Sequence, residues 1–284
     1  MRLVMGIKME RPLKKFRIDN RVAIVTGGAG LLGFQHALSI AEAGGTPVLW
    51  DIDIRAGKIR ASEIAEKYKV PSCAIKVDVT SEKSIKNGLE NVVSAFGRVD
   101  ILINNAANNP KADKSGKLEW SRFENFSLGT WAQDISVGLT GAFLCCKTIG
   151  NYMAKNGGGV ILNIASDLSV IAPNQGIYRI EGLPEEQQPA KPVSYSVVKH
   201  GIVGLTKYIA TYWAHKGIRV NALSPGGVYT DHPEIFLGQL TKLIPMGRMA
   251  KEDEYKAAII FLVSDASSYM TGTNLIIDGG RTCW

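Results

Sequence analysis

Short runs of apolar residues alternate with longer segments of helical periodicity along almost the whole chain. Apolar runs predict strands at residues 22–26, 47–50, 73–77, 101–103, 159–164, 219–222 and 274–277. Between them, the spacing of apolar positions predicts helices near residues 32–43, 55–68, 81–96, 128–155, 193–216 and 251–264. Strands this continuously apolar are typical of a parallel sheet covered by helices on both faces.

Two long polar stretches interrupt this alternation, at residues 108–126 and 173–192. Each follows a predicted strand, at what would be the carboxyl edge of the sheet. Ligands of open α/β sheets bind outside that edge, so both stretches are candidate substrate loops. The alternative is that they are ordinary solvated surface loops.

Charge and composition narrow the possible partners. The chain of 284 residues carries a net charge of +7, but its basic residues are dispersed except for Lys8, Arg11, Lys14, Lys15, Arg17 and Arg21. No aromatic residues are interleaved in a way that predicts nucleic-acid binding, whereas an anionic substrate is compatible with the charge. No stretch approaches the roughly 20 apolar residues of a membrane span, and no signal peptide is recognisable. We therefore expect a cytoplasmic protein without a membrane partner.

Cysteine and histidine spacing argues against metal or disulfide chemistry. The four cysteines form no C-x-x-C pair, and the four histidines share no ligand spacing. We expect reduced thiols and no metal site, with Cys145 and Cys146 in core packing or at a subunit contact.

A glycine cluster, TGGAGLLG at residues 26–33, follows the first predicted strand and opens a helix. It satisfies both G-x-G-x-x-G and G-x-x-G-x-x-G, and Asp51 ends the next strand 24 residues after Gly27. Such a turn brings dinucleotide phosphates to a helix N-terminus, and the acidic residue accepts hydrogen bonds from the adenosine ribose. Because Asp51 would repel a 2′-phosphate, NAD is the predicted cofactor. The alternative is a strand-end aspartate beside a structural turn.

Tyr195 and Lys199 lie four residues apart on a predicted helix, and therefore on one face of it. A lysine ammonium close to the phenol would lower the pKa of Tyr195 towards the range of a general acid/base. Ser166 ends the run ILNIAS, where its hydroxyl can polarise the same substrate oxygen. These three residues are the predicted catalytic group.

The chain resembles the short-chain dehydrogenase/reductase family over about residues 16–280. The matching motifs are TGGAGLLG, DVT at 78–80, NNAA at 104–107, ILNIAS at 161–166, YSVVK at 195–199, RVNALSPGGVYT at 219–230 and LIIDGG at 275–280. The resemblance implies a three-layer α/β Rossmann fold with a doubly wound, mostly parallel seven-stranded sheet. We expect one such domain at residues 16–284, after an N-terminal extension at residues 1–15.

The resemblance also implies the residues around the cofactor and the substrate. The cofactor set is Gly27, Gly28, Gly30, Leu32, Gly33, Asp51, Asp53, Asp78, Val79, Asn104, Ala106, Tyr195, Lys199, Pro225, Gly226, Val228 and Thr230. The expected substrate contacts are Ser166 and Tyr195, and the polar 173–192 loop adds Tyr178 and Arg179. Helices near 128–155 and 193–216 resemble those that build a subunit seam in this family, which implies a homodimer or a homotetramer.

Three features depart from the usual family pattern. The loop has Leu31 where many relatives have glycine, which matches the T-G-x-x-G-x-x-G spacing of the extended branch of the family. Gly138 occupies the position of the usual catalytic asparagine, so that either other groups fill its place, the proton relay is weakened, or the glycine allows a kink or close helix packing. Ser166 and Tyr195 are separated by 29 positions, which makes the 173–192 loop unusually long.

These observations predict an NAD-dependent oxidoreductase that interconverts an alcohol and a ketone on a small polar substrate, a sugar derivative or polyol. The long polar loop and the glycine spacing favour this substrate class. The chain, including its DGGRTCW ending, also resembles bacterial sugar, polysaccharide or flagellin-modification members of the family, which implies the same class. Two alternatives remain open: a 3-oxoacyl-type or other hydrophobic ketone reductase, and a non-catalytic NAD-binding regulatory or scaffold protein.

Overall fold

A seven-stranded sheet forms the centre of the computed structural model, which describes residues 12–108 and 117–284. The strand order is β3-β2-β1-β4-β5-β6-β7, and every neighbouring pair is parallel. The strands are β1 (Val22–Thr26), β2 (Thr46–Asp51), β3 (Cys73–Lys76), β4 (Ile101–Asn104), β5 (Gly159–Ile164), β6 (Ile218–Pro225) and β7 (Asn274–Ile277).

Helices cover both faces of this sheet, because the strands carry apolar side chains on both sides. The helices are α1 (Leu31–Glu42), α2 (Ile54–Tyr68), α3 (Glu82–Phe96), α4 (Leu128–Ile135), α5 (Gly141–Cys145), α6 (Asn151–Lys155), α7 (Val193–Trp213), α8 (Glu234–Leu240) and α9 (Lys256–Val263). Buried residues of α1, α2 and α9 share one core cluster, and those of α3, α5, α6 and α7 share the other. The predicted three-layer α/β fold is therefore confirmed.

The long helix predicted at residues 128–155 is interrupted twice by π-helical turns, at Ser136–Thr140 and Cys146–Gly150. Neighbouring side chains approach the backbone closely along this stretch. A Cβ on Gly150 would lie 2.2 Å from the Trp213 ring, and one on Gly141 would lie 2.9 Å from Val79. Glycines thus let α7 and the segment before α3 pack against the helix backbone, which the spacing of apolar residues does not reveal.

Some element limits differ from the sequence-based expectation. Strand β6 continues to Pro225, α9 begins only at Lys256, and α8 was not predicted. Residues 1–11 of the expected N-terminal extension lie outside the described residues, and Pro12–Phe16 forms a 3₁₀ turn. Among the described residues, no helix is long and apolar enough to cross a bilayer.

The chain places β2 and β3 on one side of β1 and then crosses to place β4 on the other side. The strands β1 and β4 are hydrogen-bonded neighbours, and the strand order changes direction between them. The glycine cluster follows β1, and Asp51 ends β2. Ser166 follows β5 by two residues. All three therefore reach the carboxyl edge near this topological switch point, where α/β sheets bind their ligands.

Candidate active site

The glycine loop after β1 lies directly against its neighbours. Gly27 has a φ of +61°, which favours glycine, and Asn105 Nδ2 donates to the carbonyls of Thr26 and Gly27 at 3.0 and 3.2 Å. A Cβ on Gly28 would meet Leu49 at 2.9 Å, and one on Gly33 would lie 2.1 Å from the Gly27 carbonyl oxygen. Side chains at these positions would push the loop out of place. By contrast, a Cβ on Gly30 would meet only the Gly27 oxygen, at 3.4 Å.

A cavity of about 580 Å³ opens beside this loop at the N-terminus of α1. Gly30, the N-cap of α1, offers no side chain to the first helical N–H groups, which are therefore available to an anion. The size, the glycine turn and the helix N-terminus fit a dinucleotide with its pyrophosphate at α1. The residues that line the cavity are Gly27, Gly30, Leu31, Leu32, Gly33, Trp50, Asp51, Ile52, Val77, Asp78, Val79, Thr80, Asn105, Ala106, Ala107, Gln133, Ser136 and Val137.

Asp51 supplies the acidic group of this cavity. Its two carboxylate oxygens accept hydrogen bonds from the backbone N–H of Ala29 and of Asp53, each at 3.0 Å. Each oxygen keeps a further lone pair for a ribose hydroxyl. Within the described part of the chain, no lysine or arginine lines this cavity, so a 2′-phosphate would find no cationic partner there.

Eight residues of the predicted cofactor set line the cavity, and Gly28 packs behind the loop. Asp53 does not reach it: its carboxylate accepts the Ala56 N–H at 3.0 Å and caps α2. Asn104 is buried, and its Nδ2 donates to Asn163 Oδ1 at 2.8 Å. The following residue, Asn105, faces the cavity instead. Pro225, Gly226, Val228 and Thr230 lie at and after the end of β6 and are not part of the lining.

Ser166 is buried at the end of β5, where its Oγ donates to Asp167 Oδ1 at 2.8 Å. The Ser166 Oγ also accepts a hydrogen bond from the Leu168 N–H at 3.2 Å. Asp167 in turn pairs with Arg281 at 2.7 Å in a buried ion pair. The serine hydroxyl is thus held in a fixed orientation by groups that sequence spacing did not reveal.

Tyr195 and Lys199 lie on α7, with the Lys199 Nζ 5.8 Å from the centre of the Tyr195 ring. The Nζ donates to the Ile164 carbonyl at 2.8 Å. Ser166 also lies close enough to Tyr195 to act on the pKa of its hydroxyl, so this arrangement brings Ser166, Tyr195 and Lys199 together.

The expected lowering of the Tyr195 pKa is wrong in these surroundings. Burial raises the pKa of Tyr195, and the hydrogen bond with Ser166 opposes this only in part. Burial, together with the charge of Lys191, lowers the pKa of Lys199 to about 8. Desolvation therefore outweighs the attraction between ammonium and phenolate at this separation.

Gly138 is buried against α7. A Cβ at this position would lie 2.7 Å from Cγ1 of Val198, the residue immediately before Lys199. Gly138 lies in the first π-helical turn. Among the interpretations that the sequence left open for this glycine, close helix packing agrees with these surroundings. The space that a side chain would need is occupied by Val198.

The two polar loops meet beside Tyr195, around a second cavity of about 560 Å³. The Ser121 Oγ accepts the Ala190 N–H at 2.9 Å, and Arg122 donates to the Glu185 carbonyl. Residues 109–116 of the first loop lie outside the described residues. The lining residues from the two loops include Arg122, Glu124, Gln175, Arg179, Glu185 and Lys191.

The two predicted substrate residues of the second loop have different surroundings. Arg179 lines the loop cavity and pairs with Glu185. Tyr178 packs on the Phe236 ring of α8 with 5.6 Å between ring centres. Burial raises the pKa of Tyr178 to about 12, and the charges of Arg281, Asp167 and Tyr195 also act on it. Tyr178 thus lies on the catalytic side of the loop.

No group of three or more potential metal ligands occurs in the described residues. Cys145 and Cys146 are buried in the core, as core packing requires, and burial raises their pKa values. His36 is also buried, which lowers its pKa to about 3 and keeps it neutral.

Comparison with known proteins gives consistent matches. The profile of the family described as "short chain dehydrogenase" matches residues 21–179, and that of "Enoyl-(Acyl carrier protein) reductase" matches residues 185–282. The D-threitol dehydrogenase of Mycolicibacterium smegmatis is 33% identical over 94% of this chain and 95% of its own length. The NAD-dependent glycerol dehydrogenase of Listeria innocua is 35% identical over 95% of this chain and 96% of its own.

A solved structure extends this likeness to the fold. The gluconate 5-dehydrogenase of Burkholderia cenocepacia, in complex with NADP and tartrate, superposes with a TM-score of 0.83. It is 28% identical, and the match covers 96% of this chain and all of the other chain.

Proposed function

The chain belongs to the short-chain dehydrogenase/reductase family and is an NAD(P)-dependent alcohol/carbonyl oxidoreductase, and from this premise we propose that it uses NAD to interconvert an alcohol and a ketone on a polyol or another polar sugar derivative. The observation that carries the proposal is the convergence of Ser166, Tyr195 and Lys199 next to a cavity formed by two loops, which Lys191 joins to the Tyr195 ring.

Each of the three side chains has a defined task in this proposal. The Tyr195 hydroxyl exchanges a proton with the substrate oxygen, and the buried Ser166 hydroxyl turns from Asp167 Oδ1 to donate to that oxygen. The Lys199 ammonium, fixed by the Ile164 carbonyl, stabilises the phenolate that remains when Tyr195 gives up its proton. Bound NAD supplies the hydride acceptor, and Gly27, Gly30 and Asp51 are the residues that would hold it.

The cavity supports NAD as the cofactor through Asp51 and the lack of lysine or arginine among its lining residues in the described chain. A 2′-phosphate would face the Asp51 carboxylate without compensation. One relative is named as NAD-dependent, whereas the gluconate dehydrogenase structure holds NADP, so this choice needs its own experiment.

The charged side chains around the loop cavity support a hydroxylated substrate. Arginine and glutamate side chains offer donors and acceptors that suit several hydroxyl groups, and two relatives are named for threitol and glycerol. Because both of these relatives are named for polyols, the hydrophobic ketone reductase is the less favoured alternative.

An exposed aromatic face on α7 supports the expected homo-oligomer. Tyr208 and Tyr212 are 66% and 57% exposed, and their rings stack with 5.9 Å between centres. Exposed aromatic residues are enriched at subunit interfaces. We place the contact between two copies of the chain at this face, without choosing between dimer and tetramer.

The decisive experiment compares the wild type with Tyr195→Phe, by NADH absorbance at 340 nm across polyols, sugar acids and acyl ketones. General acid/base catalysis is worth roughly 10²–10⁴-fold, so the variant should lose at least that much turnover while binding NADH normally. Equal turnover in both proteins would refute the mechanism. Absence of turnover on every substrate, with intact NADH binding, would favour the non-catalytic alternative.

A further inference from the structure

Lys191 places a cation against the catalytic tyrosine. It lies in the long loop, four residues before Tyr195, and its Nζ is 3.9 Å from the centre of the Tyr195 ring. The Lys191 N–H donates to Gln175 Oε1 at 2.9 Å, which ties this part of the loop to the turn that precedes Tyr178. The side chain is half-buried at the edge of the loop cavity.

The acidic residues around Lys191 already have other cationic partners. Glu124 pairs with Arg122, and Glu185 pairs with both Arg122 and Arg179. Asp167, the carboxylate nearest to the catalytic serine, pairs with Arg281. Within the described residues, Lys191 forms no ion pair, and these three carboxylates are already paired with arginines.

The charges that act on the reaction centre are therefore predominantly positive. Lys191, Lys199 and Arg281 contribute three positive charges, and Asp167 contributes one negative charge. Burial lowers the pKa of Lys191 to about 8, and the same direction holds for Lys199, whose pKa Lys191 helps to lower. A cation in this position is costly in the free protein and is stabilised when an anion arrives.

We propose that Lys191 determines substrate specificity by binding an anionic group, a carboxylate or a phosphate, that the substrate carries close to its reacting carbinol. The preferred substrates are thus sugar acids or phosphorylated polyols rather than neutral polyols. This inference rests on the proposed function, because it takes Tyr195 as the group that contacts the carbinol. The contact between Nζ and the ring requires the anion to lie near the reacting carbon and not at the end of a long chain.

A purely structural cation–π contact would have different surroundings. Lys67 lies 5.1 Å from the centre of the Tyr68 ring on an exposed part of α2, where water solvates the ammonium. Lys191 instead shares a cavity of about 560 Å³ with groups that can bind a hydroxylated substrate. A structural role predicts that replacing Lys191 changes all substrates equally, whereas anion binding predicts a selective loss.

Matched four-carbon substrates test this selectivity. We would measure NAD-linked kcat/KM for threitol, threonate and threitol 4-phosphate with the wild type, Lys191→Met, Lys191→Arg and the control Lys207→Met, an exposed lysine on α7. A charge-assisted hydrogen bond is worth about 10- to 100-fold, so Lys191→Met should lower kcat/KM for an anionic substrate by that factor. Any general effect of the variant on Tyr195 and Lys199 appears equally with threitol, so the loss for the anionic substrate should exceed the change for threitol by that factor, and Lys191→Arg should keep most of the preference. The substrate that shows the loss identifies carboxylate or phosphate as the bound group.

A binding measurement separates this inference from the proposed function. Calorimetric titration of tartrate and of threitol into the protein saturated with NAD requires no turnover. Tartrate affinity that falls at least about 10-fold in Lys191→Met, but not in Lys207→Met, supports anion binding even if Tyr195→Phe shows that the proposed reaction is wrong. Equal affinities in wild type and Lys191→Met, absence of tartrate binding, or a wild-type preference for threitol over both anionic substrates would overturn the inference.

Discussion

The guanidinium Nη1 of Arg281 lies 2.7 Å from the Oδ2 of Asp167, and both side chains are almost completely buried. The other oxygen of Asp167 accepts the hydroxyl of Ser166 at 2.8 Å. Arg281 thereby fixes Ser166, which we propose as a catalytic residue, through one carboxylate. This link connects the stability of the fold with the geometry of the reaction.

Arg281→Met should destabilise the protein strongly, because it leaves the Asp167 carboxylate buried without its cation. Removal of one partner from a buried ion pair costs about 3–5 kcal/mol, measurable as a change in the free energy of unfolding in urea. The double variant Asp167→Asn/Arg281→Met should recover part of this loss, since the buried charge is gone. Arg17→Met, which breaks the exposed pair with Asp19, should leave the midpoint almost unchanged.

The catalytic effect of the same pair should depend on Ser166. If Asp167 and Arg281 act by orienting the serine hydroxyl, Arg281→Met lowers kcat in the wild type but adds little in a Ser166→Ala background. Measurements below the unfolding temperature of every variant keep the two effects apart. Additive losses of kcat would show that the ion pair acts on catalysis by another route.

Asp51 should decide between NAD and NADP. Asp51→Ala is expected to weaken NADH binding about 10-fold or more, because two hydrogen bonds to a charged acceptor are lost, and to shift the preference towards NADPH. Since Asp51 also holds the Ala29 N–H, Asp51→Asn serves as the matched control: it keeps an acceptor oxygen and removes the charge. Fluorescence titration with both reduced cofactors measures the ratio. A wild-type preference for NADPH would contradict the role given to Asp51.

Gly138 and Val198 should behave as a complementary pair. Gly138→Ala forces a Cβ to within 2.7 Å of Val198 Cγ1, and overpacking of this kind costs about 1–3 kcal/mol of unfolding free energy. Val198→Ala in the same chain should relieve most of that cost. Gly129→Ala on α4, where only the Ser127 hydroxyl lies within 4 Å, should be neutral or slightly stabilising. A double variant no more stable than Gly138→Ala would refute the pairing.

Local patterns predicted the parts of the molecule that depend on nearby residues. The seven apolar runs locate all seven strands, and the glycine cluster, Asp51, Ser166, Tyr195 and Lys199 reach the expected edge of the sheet. The motif predicts Asn104 at the cofactor, whereas Asn105 lines the cavity and Asn104 bonds to Asn163 inside the sheet. The motif alone does not show which of two adjacent side chains points into the sheet.

Long-range packing determines what the sequence could not reveal. Asp167 and Arg281 are 114 positions apart, and no periodicity links them. The direction of the Tyr195 pKa shift depends on burial, which spacing does not measure. In the sequence, Lys191 does not differ from any other lysine of a polar loop. Its location beside the Tyr195 ring, which the fold determines, distinguishes it from them.

Lys191 should lower the stability of the free protein at neutral pH, because its ammonium is desolvated without an ionic partner among the described residues. The pKa of Lys191 is about 8 in the folded protein, whereas the ordinary value of 10.5 applies to the unfolded chain. The unfolded chain therefore binds the proton more tightly. The destabilisation is therefore fully present below pH 8 and disappears as the pH rises towards 10.5.

Lys191→Met should accordingly stabilise the protein by about 1 kcal/mol at pH 7, after allowance for solvent screening, and the gain should shrink between pH 8 and pH 10. Urea unfolding across this pH range measures the difference between variant and wild type. A variant that is less stable than the wild type at pH 7 would mean that the cation contributes to the fold through the Tyr195 ring, and that its presence needs no ligand to explain it.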